Sequence, residues 1–142
     1  MKDDPLPHRD HIARYCGGSH INEDDTIAPT AFHLRRNKNE EYLSVDWLEI
    51  LNQPDRISEI EAVRGVISQR LRLGKTSKIG ILNVGEVIDY VIDGSGLSIQ
   101  ILHKPVPNEP SHSGIYDTDQ DEERIAELIA EKVYEIYPAV SS

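Results

Sequence analysis

The sequence predicts an α+β fold, a single-domain sandwich in which about four helices pack on a small mixed β-sheet. Three observations support this prediction. The chain has 142 residues, which is enough for one domain that buries its own core. Hydrophobic residues make up 38% and charged residues 28%, which is typical of a folded globular protein. Segments with the period of a strand and segments with the period of a helix follow one another along the chain.

The N-terminal third divides into an irregular arm and a predicted hairpin. We place the arm at residues 1–29 and the α+β domain at residues 30–142. The arm contains three prolines and two glycines and has no sustained period, although residues 12–16 fit either a short strand or one helical turn. Residues 30–35 and 42–47 alternate between apolar and polar side chains around a polar connector, which predicts two antiparallel strands.

A short helix, a long helix and a strand follow the hairpin. Residues 47–51 are predicted to form a short helix that ends before Pro54. Residues 57–71 carry apolar side chains at spacings of three and four, which indicates an amphipathic helix that ends at Gly74. Residues 78–82 form a short apolar strand.

The C-terminal half contains two further helices and one further strand. Asn83 can cap a helix directly after the strand at 78–82. Residues 97–102 alternate strongly and form a strand, parallel to the preceding one if both belong to one sheet. Residues 104–116 hold three prolines and form a loop. The last helix begins at residue 117 or 118, and its apolar face extends to residue 136.

The apolar faces of these elements predict one common core, because a domain of this size has a single contiguous core. Within residues 42–47, Val45 and Trp47 face this core, whereas Ser44 and Asp46 point the other way. The predicted core consists of Val45, Trp47, Ile60, Val63, Ile67, Ile81, Val87, Val91, Ile99, Ile101, Ile125, Leu128 and Ile129.

Charge and cysteine content limit the partners and the compartment. Acidic residues outnumber basic ones by 25 to 15, and the net charge of −10 argues against nucleic acid and against an anionic membrane surface. No apolar run approaches the roughly 18 residues that a membrane span needs, and the N-terminus lacks the apolar stretch of a signal peptide. Cys16 is the only cysteine, which excludes an internal disulfide and favours a cytoplasmic location.

The uneven distribution of charge predicts a protein–protein interaction. Residues 40–63 carry seven acidic residues and one basic residue. Residues 64–104 carry three acidic and six basic residues, and residues 105–142 carry nine acidic and two basic residues. Such a pattern allows a self-complementary surface within the fold or between copies in a homo-oligomer. Solvated helix faces explain the same pattern without a partner. We expect an intracellular interaction or accessory protein that acts on a protein partner through its acidic surface.

The alternative is a small enzyme, a hydrolase or transferase acting on a phosphate-containing substrate. Its catalytic residues would be His11, Arg14 and His112. Histidine transfers protons near neutral pH, and arginine binds phosphate or carboxylate through two hydrogen bonds. His112 lies in a loop bracketed by Pro110 and Gly114, which can hold it at a cleft. A solvated loop around His112 and an ordinary ion pair of Arg14 are the competing interpretations.

Metal and cofactor sites have weaker support. Four side chains of the arm have spacings compatible with a local metal site: His8, His11, Cys16 and His20. Most structural zinc sites have a second thiolate, which this chain lacks, so we predict no metal. Gly74-Lys75-Thr76 is similar to the end of a phosphate-binding loop, but Gln69 stands where that loop needs a glycine. No cofactor is predicted.

Four segments carry a resemblance to a known group of proteins. Residues 10–16, 42–49, 82–85 and 110–115, in this order, resemble a set of small stand-alone bacterial proteins to which no activity is assigned. The resemblance spans nearly the whole chain. It implies a bacterial cytoplasmic protein of unknown function, and it does not identify any catalytic residue.

Overall fold

A computed structural model describes residues 3–35 and 39–140, which form six strands in one sheet together with three α-helices. The α+β class predicted from the sequence is confirmed. The strands are β1 (His11–Cys16), β2 (Leu43–Trp47), β3 (Lys78–Asn83), β4 (Gln100–His103), β5 (His112–Tyr116) and β6 (Glu135–Pro138). The helices are α1 (Arg56–Ser68), α2 (Val84–Ser95) and α3 (Glu122–Glu131). None of these helices is long and apolar enough to cross a membrane.

The sheet is antiparallel throughout, in the order β4-β5-β2-β1-β3-β6. The predicted mixed sheet is therefore wrong. The sequence predicted that the strands on either side of α2 are parallel, and β3 and β4 do run in the same direction. They are not neighbours, however, because β1, β2 and β5 lie between them. The chain between β3 and β4 thus crosses most of the sheet.

Residues 11–16, within the segment predicted as irregular, form a strand near the middle of the sheet. β1 pairs with β3 along its whole length and with β2 at its N-terminal end. Ile12 and Ala13 are both buried, on opposite faces of the sheet. A strand that is buried on both faces does not alternate between apolar and polar residues, so its sequence lacks the usual strand pattern.

Two predictions about strands are wrong. Residues 30–35 are not the first strand of a hairpin, because Pro29–Phe32 is a short 3-10 helix that buries Phe32. β2 instead pairs with β1 and β5. The predicted loop at 104–116 contains β5, whose first four residues are buried. Glycine and serine have low strand propensity, so pairing with β2 and β4 on both sides defines this strand.

The helices are fewer and shorter than predicted. About four were expected, whereas the described residues form three α-helices. The predicted helix at 47–51 is a single 3-10 turn, Glu49–Leu51, which ends at Asn52 in the left-handed conformation. α3 ends at Glu131, and residues 135–138 leave it to pair with β3 as β6. Ile136 therefore lies on an edge strand.

The predicted core is divided in two by the sheet. α2 and α3 pack on one face, with Ile101 and Ile115 of the sheet beneath them. α1 covers the other face through Ile60, Val63 and Ile67. All thirteen residues predicted for the core are buried except Trp47, which is half-buried at its edge. One contiguous core was therefore the wrong expectation, because the sheet has helices on both faces.

Both α1 and α2 begin with a side-chain cap, and the cap predicted at Asn83 is confirmed. Asp55 accepts a hydrogen bond from the amide of Ser58 at the start of α1, and Asn83 accepts one from the amide of Glu86 at the start of α2. α2 ends at Gly96, whose φ of 73° lies in the left-handed region that glycine adopts without strain. These local signals define where α1 begins and where α2 begins and ends.

Candidate functional site

A cavity of about 390 Å³ lies where β1 and β2 separate. The two strands pair only through Ile12 with Trp47 and Ala13 with Asp46. Beyond these pairs, residues of both strands line the cavity together with the end of α1 and the segments around two 3-10 helices, Gly18–His20 and Pro29–Phe32. Its volume lies within the range of small-molecule sites.

Arg14 spans the gap between the separated strands. Its Nη1 donates to the carbonyl oxygen of Ser44 at 2.8 Å, and its Nε and Nη2 donate to the carbonyl oxygen of Ala31 at 3.1 and 2.8 Å. A guanidinium has five N–H groups, so two remain beyond these three bonds. Among the described residues, no carboxylate forms an ion pair with Arg14. Burial lowers the pKa of Arg14 from its usual value, because it removes water from the charge.

Other basic side chains line the cavity beside Arg14. They are His20, His33, Arg35 and Arg70. Burial lowers the pKa of His20, and the positive charges of Arg14, His33 and Arg35 lower it further. Because the charges of Arg14 and Arg35 both disfavour a proton on His20, the two arginines lie close enough to create one region of positive potential, in which His20 itself is mostly neutral at pH 7. Such a region attracts an anion.

Glu40 offsets part of this positive charge. It forms an ion pair with Arg35 at 2.9 Å and also accepts the backbone amide of Arg35. Burial alone would raise the pKa of Glu40, but the hydrogen bonds from Arg35 and the charges of Arg35 and Arg14 lower it below its usual value. Glu40 is therefore ionised at neutral pH and satisfies Arg35 rather than Arg14.

A buried acidic pair lies on the β2 side of the cavity. Asp46 is 1% exposed and Glu109 4% exposed, and Glu109 lies near enough to affect the pKa of Asp46. Ser111 donates its hydroxyl to Asp46 at 2.8 Å, and Arg70 forms an ion pair with Glu109 at 2.9 Å. Burial and the neighbouring Glu109 raise the pKa of Asp46 to about 8. Asp46 is therefore mostly protonated at pH 7, and Arg70 is engaged by Glu109 rather than by Asp46.

Apolar side chains complete the lining of the cavity. Ile67 and Leu71 approach from α1 and the residues after it, and Leu34 approaches from the opposite side. The ring of Tyr15 also lines the cavity, and its hydroxyl donates to Ser77 and accepts from the amide of Gly74, both at 3.0 Å. The cavity thus combines a positive region with a surface suited to a small organic group.

The three residues of the predicted enzyme site have different surroundings. Arg14 lines the cavity. His112 lies in β5 and is 7% exposed, so the solvated loop considered above is wrong. Its Nε2 lies 3.3 Å from the hydroxyl of Ser44, the residue whose carbonyl binds Arg14. His11 lies at the start of β1, where its Nδ1 is 2.6 Å from Glu49. Ser44 thus links Arg14 with His112, whereas His11 belongs to another group of residues.

The four weak metal candidates do not form a cluster. Cys16 is buried in the core beneath α2 and α3, and burial raises the pKa of its thiol to about 11. His11 precedes it by five residues in the same strand and so points to the opposite face. His20 binds the hydroxyl of Thr30. Within residues 3–35 and 39–140, no three histidine, cysteine or carboxylate side chains are arranged to hold a metal ion.

The sequence analysis found Arg14 but missed Asp46, Arg70 and His33. One signal for Asp46 was present. Ser44 and Asp46 were correctly placed on the face of β2 opposite Val45 and Trp47, but this face was not recognised as buried. The apolar side chains of α1 are buried against one face of the sheet. A polar residue on that face, such as Asp46, is therefore buried as well.

The comparisons with known proteins add no relative to this description. No family model matches the chain, and no curated protein and no solved structure shows a significant similarity to it.

Proposed function

We propose that this protein binds a small organic anion, a molecule with a phosphate group, in the cavity between β1 and β2. One observation carries the proposal: the guanidinium of Arg14 lines the cavity, is held in place by two carbonyl oxygens and has no ion pair with a described carboxylate. A desolvated cation without a counter-ion is costly unless a ligand compensates it. This function keeps the phosphate chemistry of the enzyme hypothesis and its Arg14, without assigning a reaction.

The lining of the cavity supports the choice of ligand. Arginine binds phosphate through two parallel hydrogen bonds, and the rings of His20 and His33 add N–H donors. A doubly charged phosphate gains more from several positive groups than a singly charged carboxylate does. Ile67 and Leu71 offer an apolar wall to the organic part of the ligand.

Isothermal titration calorimetry tests this proposal with three probes at pH 7. Inorganic phosphate tests the charge alone, phenyl phosphate adds an apolar group, and benzoate replaces phosphate by carboxylate. We expect phenyl phosphate to bind most tightly and benzoate most weakly. Arg14→Gln should weaken the binding of phenyl phosphate about tenfold or more, because a hydrogen bond to a charged group contributes about 1.5–3 kcal/mol.

Arg124→Gln is the matched control. Arg124 is an exposed residue of α3 outside the cavity, and its replacement changes the net charge by the same amount. It should leave binding unchanged. If Arg14→Gln and Arg124→Gln bind phenyl phosphate equally well, or if no probe binds the wild-type protein, the proposal is wrong.

A second candidate function is the acidic interaction surface predicted from the charge pattern. The packing of α2 against α3 favours this second function. The hydroxyl of Tyr90 on α2 donates to Glu131 on α3, and the contact brings the acidic residues of the two helices together. The exposed acidic residues of the two helices are Glu86, Asp89, Asp93, Glu123, Glu127 and Glu131. A partner with a basic surface would fit them.

A lysine-rich peptide tests this second function. Its binding should weaken with salt and should weaken in the double variant Asp89→Asn, Asp93→Asn on α2. The control variant Glu23→Gln, Glu41→Gln removes two exposed charges elsewhere and should bind like the wild type. Equal binding by the two double variants would contradict a role for α2. The homo-oligomer, the bacterial origin and the cytoplasmic location stay predictions from the sequence.

A further inference from the structure

Building on the proposed function, we infer that the cavity takes up its anion together with one proton, which the buried carboxyl group of Asp46 holds. Asp46 lines the same cavity as Arg14. Their common cavity brings a bound anion close to the carboxyl group of Asp46. An ionised Asp46 would repel that anion, whereas a protonated Asp46 would not.

The surroundings of Asp46 explain how a proton is kept there. Asp46 is almost fully buried and accepts a hydrogen bond from the hydroxyl of Ser111. It has no ion pair of its own among the described residues, because the neighbouring Arg70 is paired with Glu109. Loss of the proton adds an uncompensated negative charge beside the cavity.

The groups around Asp46 come from every neighbouring element. Arg70 follows α1, Glu109 and Ser111 belong to the connection between β4 and β5, and His112 is the cross-strand partner on β5. The charged and titratable groups that share the cavity with it are Arg14, Tyr15, His20, His33, Arg35, Glu40 and Arg70.

Coupling between the anion and the proton is reciprocal. A bound anion makes it harder to ionise Asp46, so the affinity of the cavity for the anion must fall as the free protein loses the proton. The pKa of Asp46 is raised to about 8 by burial and by Glu109. One proton with this pKa makes binding about tenfold weaker at pH 9 than at pH 7.

Calorimetric titration with sulfate between pH 7 and pH 9 tests the inference. Sulfate is a suitable probe because it resembles phosphate and stays doubly ionised across this range. We expect its affinity to fall about tenfold, and heats measured in buffers of different ionisation enthalpy should show proton uptake on binding. Asp46→Asn, which stays uncharged, should bind sulfate with the same affinity at both values of pH.

Two control variants separate this effect from other buried groups. Asp10→Asn replaces a buried carboxyl group that binds Trp47 and lies outside the cavity, so it should keep the pH dependence of the wild type. The double variant His20→Gln, His33→Gln should also keep it, because burial and the neighbouring cations lower the pKa of His20 away from this range. If the pH dependence of sulfate binding disappears in the histidine variant and persists in Asp46→Asn, the inference is wrong.

The outcomes distinguish the inference from the function on which it rests. If sulfate binds with the same affinity at pH 7 and pH 9, the proton coupling is wrong but anion binding stands. The same holds if the pH dependence persists in Asp46→Asn. Absence of sulfate and phosphate binding at every pH overturns both. If Asp46→Asn does not fold, ¹³C NMR of the Asp46 carboxyl group in the wild-type protein decides. Its titration midpoint should rise with saturating sulfate, and an unchanged midpoint contradicts the inference.

Discussion

Arg14 and Ser44 are joined by a hydrogen bond of 2.8 Å from the guanidinium Nη1 to the backbone carbonyl oxygen, across the gap between β1 and β2. In a regular ladder, a backbone amide of the neighbouring strand would donate to such a carbonyl. Here the strands have separated, and a side chain satisfies the carbonyl instead. The same guanidinium lines the cavity that this separation opens. One residue therefore stabilises the opening and gives it positive charge.

We expect Arg14→Lys to lower the free energy of unfolding by about 1–3 kcal/mol. Lysine keeps the charge, but its single ammonium group cannot reach Ala31 and Ser44 with the fixed fork of the guanidinium. Unfolding in urea measures the change, with Arg124→Lys on the surface of α3 as the control. Equal stability of the two variants would show that the carbonyls do not depend on Arg14.

The acidic pair predicts a pH dependence of stability. Burial and Glu109 raise the pKa of Asp46 from 3.8 to about 8, so the folded chain keeps a proton that the unfolded chain releases at lower pH. Between these values the folded state binds more protons than the unfolded state. The contribution of Asp46 to the free energy of unfolding is therefore present at low pH and is lost as the pH rises from 3.8 to about 8.

Asp46→Asn measures this contribution, because asparagine has no charge in either state. Urea unfolding at pH 5, 6, 7 and 8 should show that stability falls less steeply with pH in Asp46→Asn than in the wild type. The difference between the two curves isolates Asp46 from all other titrating groups. Parallel curves would mean that Asp46 is ionised in the folded protein.

A pair of glycine substitutions tests the packing above the sheet. A Cβ at Gly114 would lie 2.8 Å from Cγ of Tyr42, whose ring stacks on that of Tyr116, so Gly114→Ala should cost about 1–3 kcal/mol. Gly65 is an exposed residue of α1 with open space around its Cα, and Gly65→Ala should stabilise the protein by up to about 1 kcal/mol. Thermal unfolding of both variants should show shifts in opposite directions, and a stabilising Gly114→Ala would contradict the close packing.

The cap of α2 gives a local prediction. Asn83→Ala removes the acceptor for the amide of Glu86 at 2.9 Å, and stability should fall by about 0.5–2 kcal/mol. Hydrogen exchange of the Glu86 amide should become faster. Asn83→Asp keeps an acceptor at the same position and should preserve most of the protection. If Asn83→Ala and Asn83→Asp exchange at the same rate, the side-chain cap does not stabilise the helix.

The helices show what could be predicted from the sequence. The period of α1 and the cap at Asn83 were predicted correctly, because helical hydrogen bonds join residues four apart and the signals lie within one segment. α3 was predicted too long for the opposite reason. Ile136 continues the apolar spacing of α3, but it pairs with Gly80 of β3, which lies far away in the sequence.

Charge, length and the two long amphipathic patterns were therefore sufficient for the α+β class and for the buried faces of α1 and α2. The alternative enzyme hypothesis also named Arg14 as a candidate phosphate ligand from its chemistry alone. Only the tertiary structure placed Arg14 beside a cavity and Asp46 beside Glu109, which is 63 residues away along the chain. Strand pairing and burial join distant segments, and a strand covered on both faces has no alternating pattern to reveal it. The tertiary structure also decides how far β1 pairs with β2, because the pairing depends on how both strands are placed in the sheet.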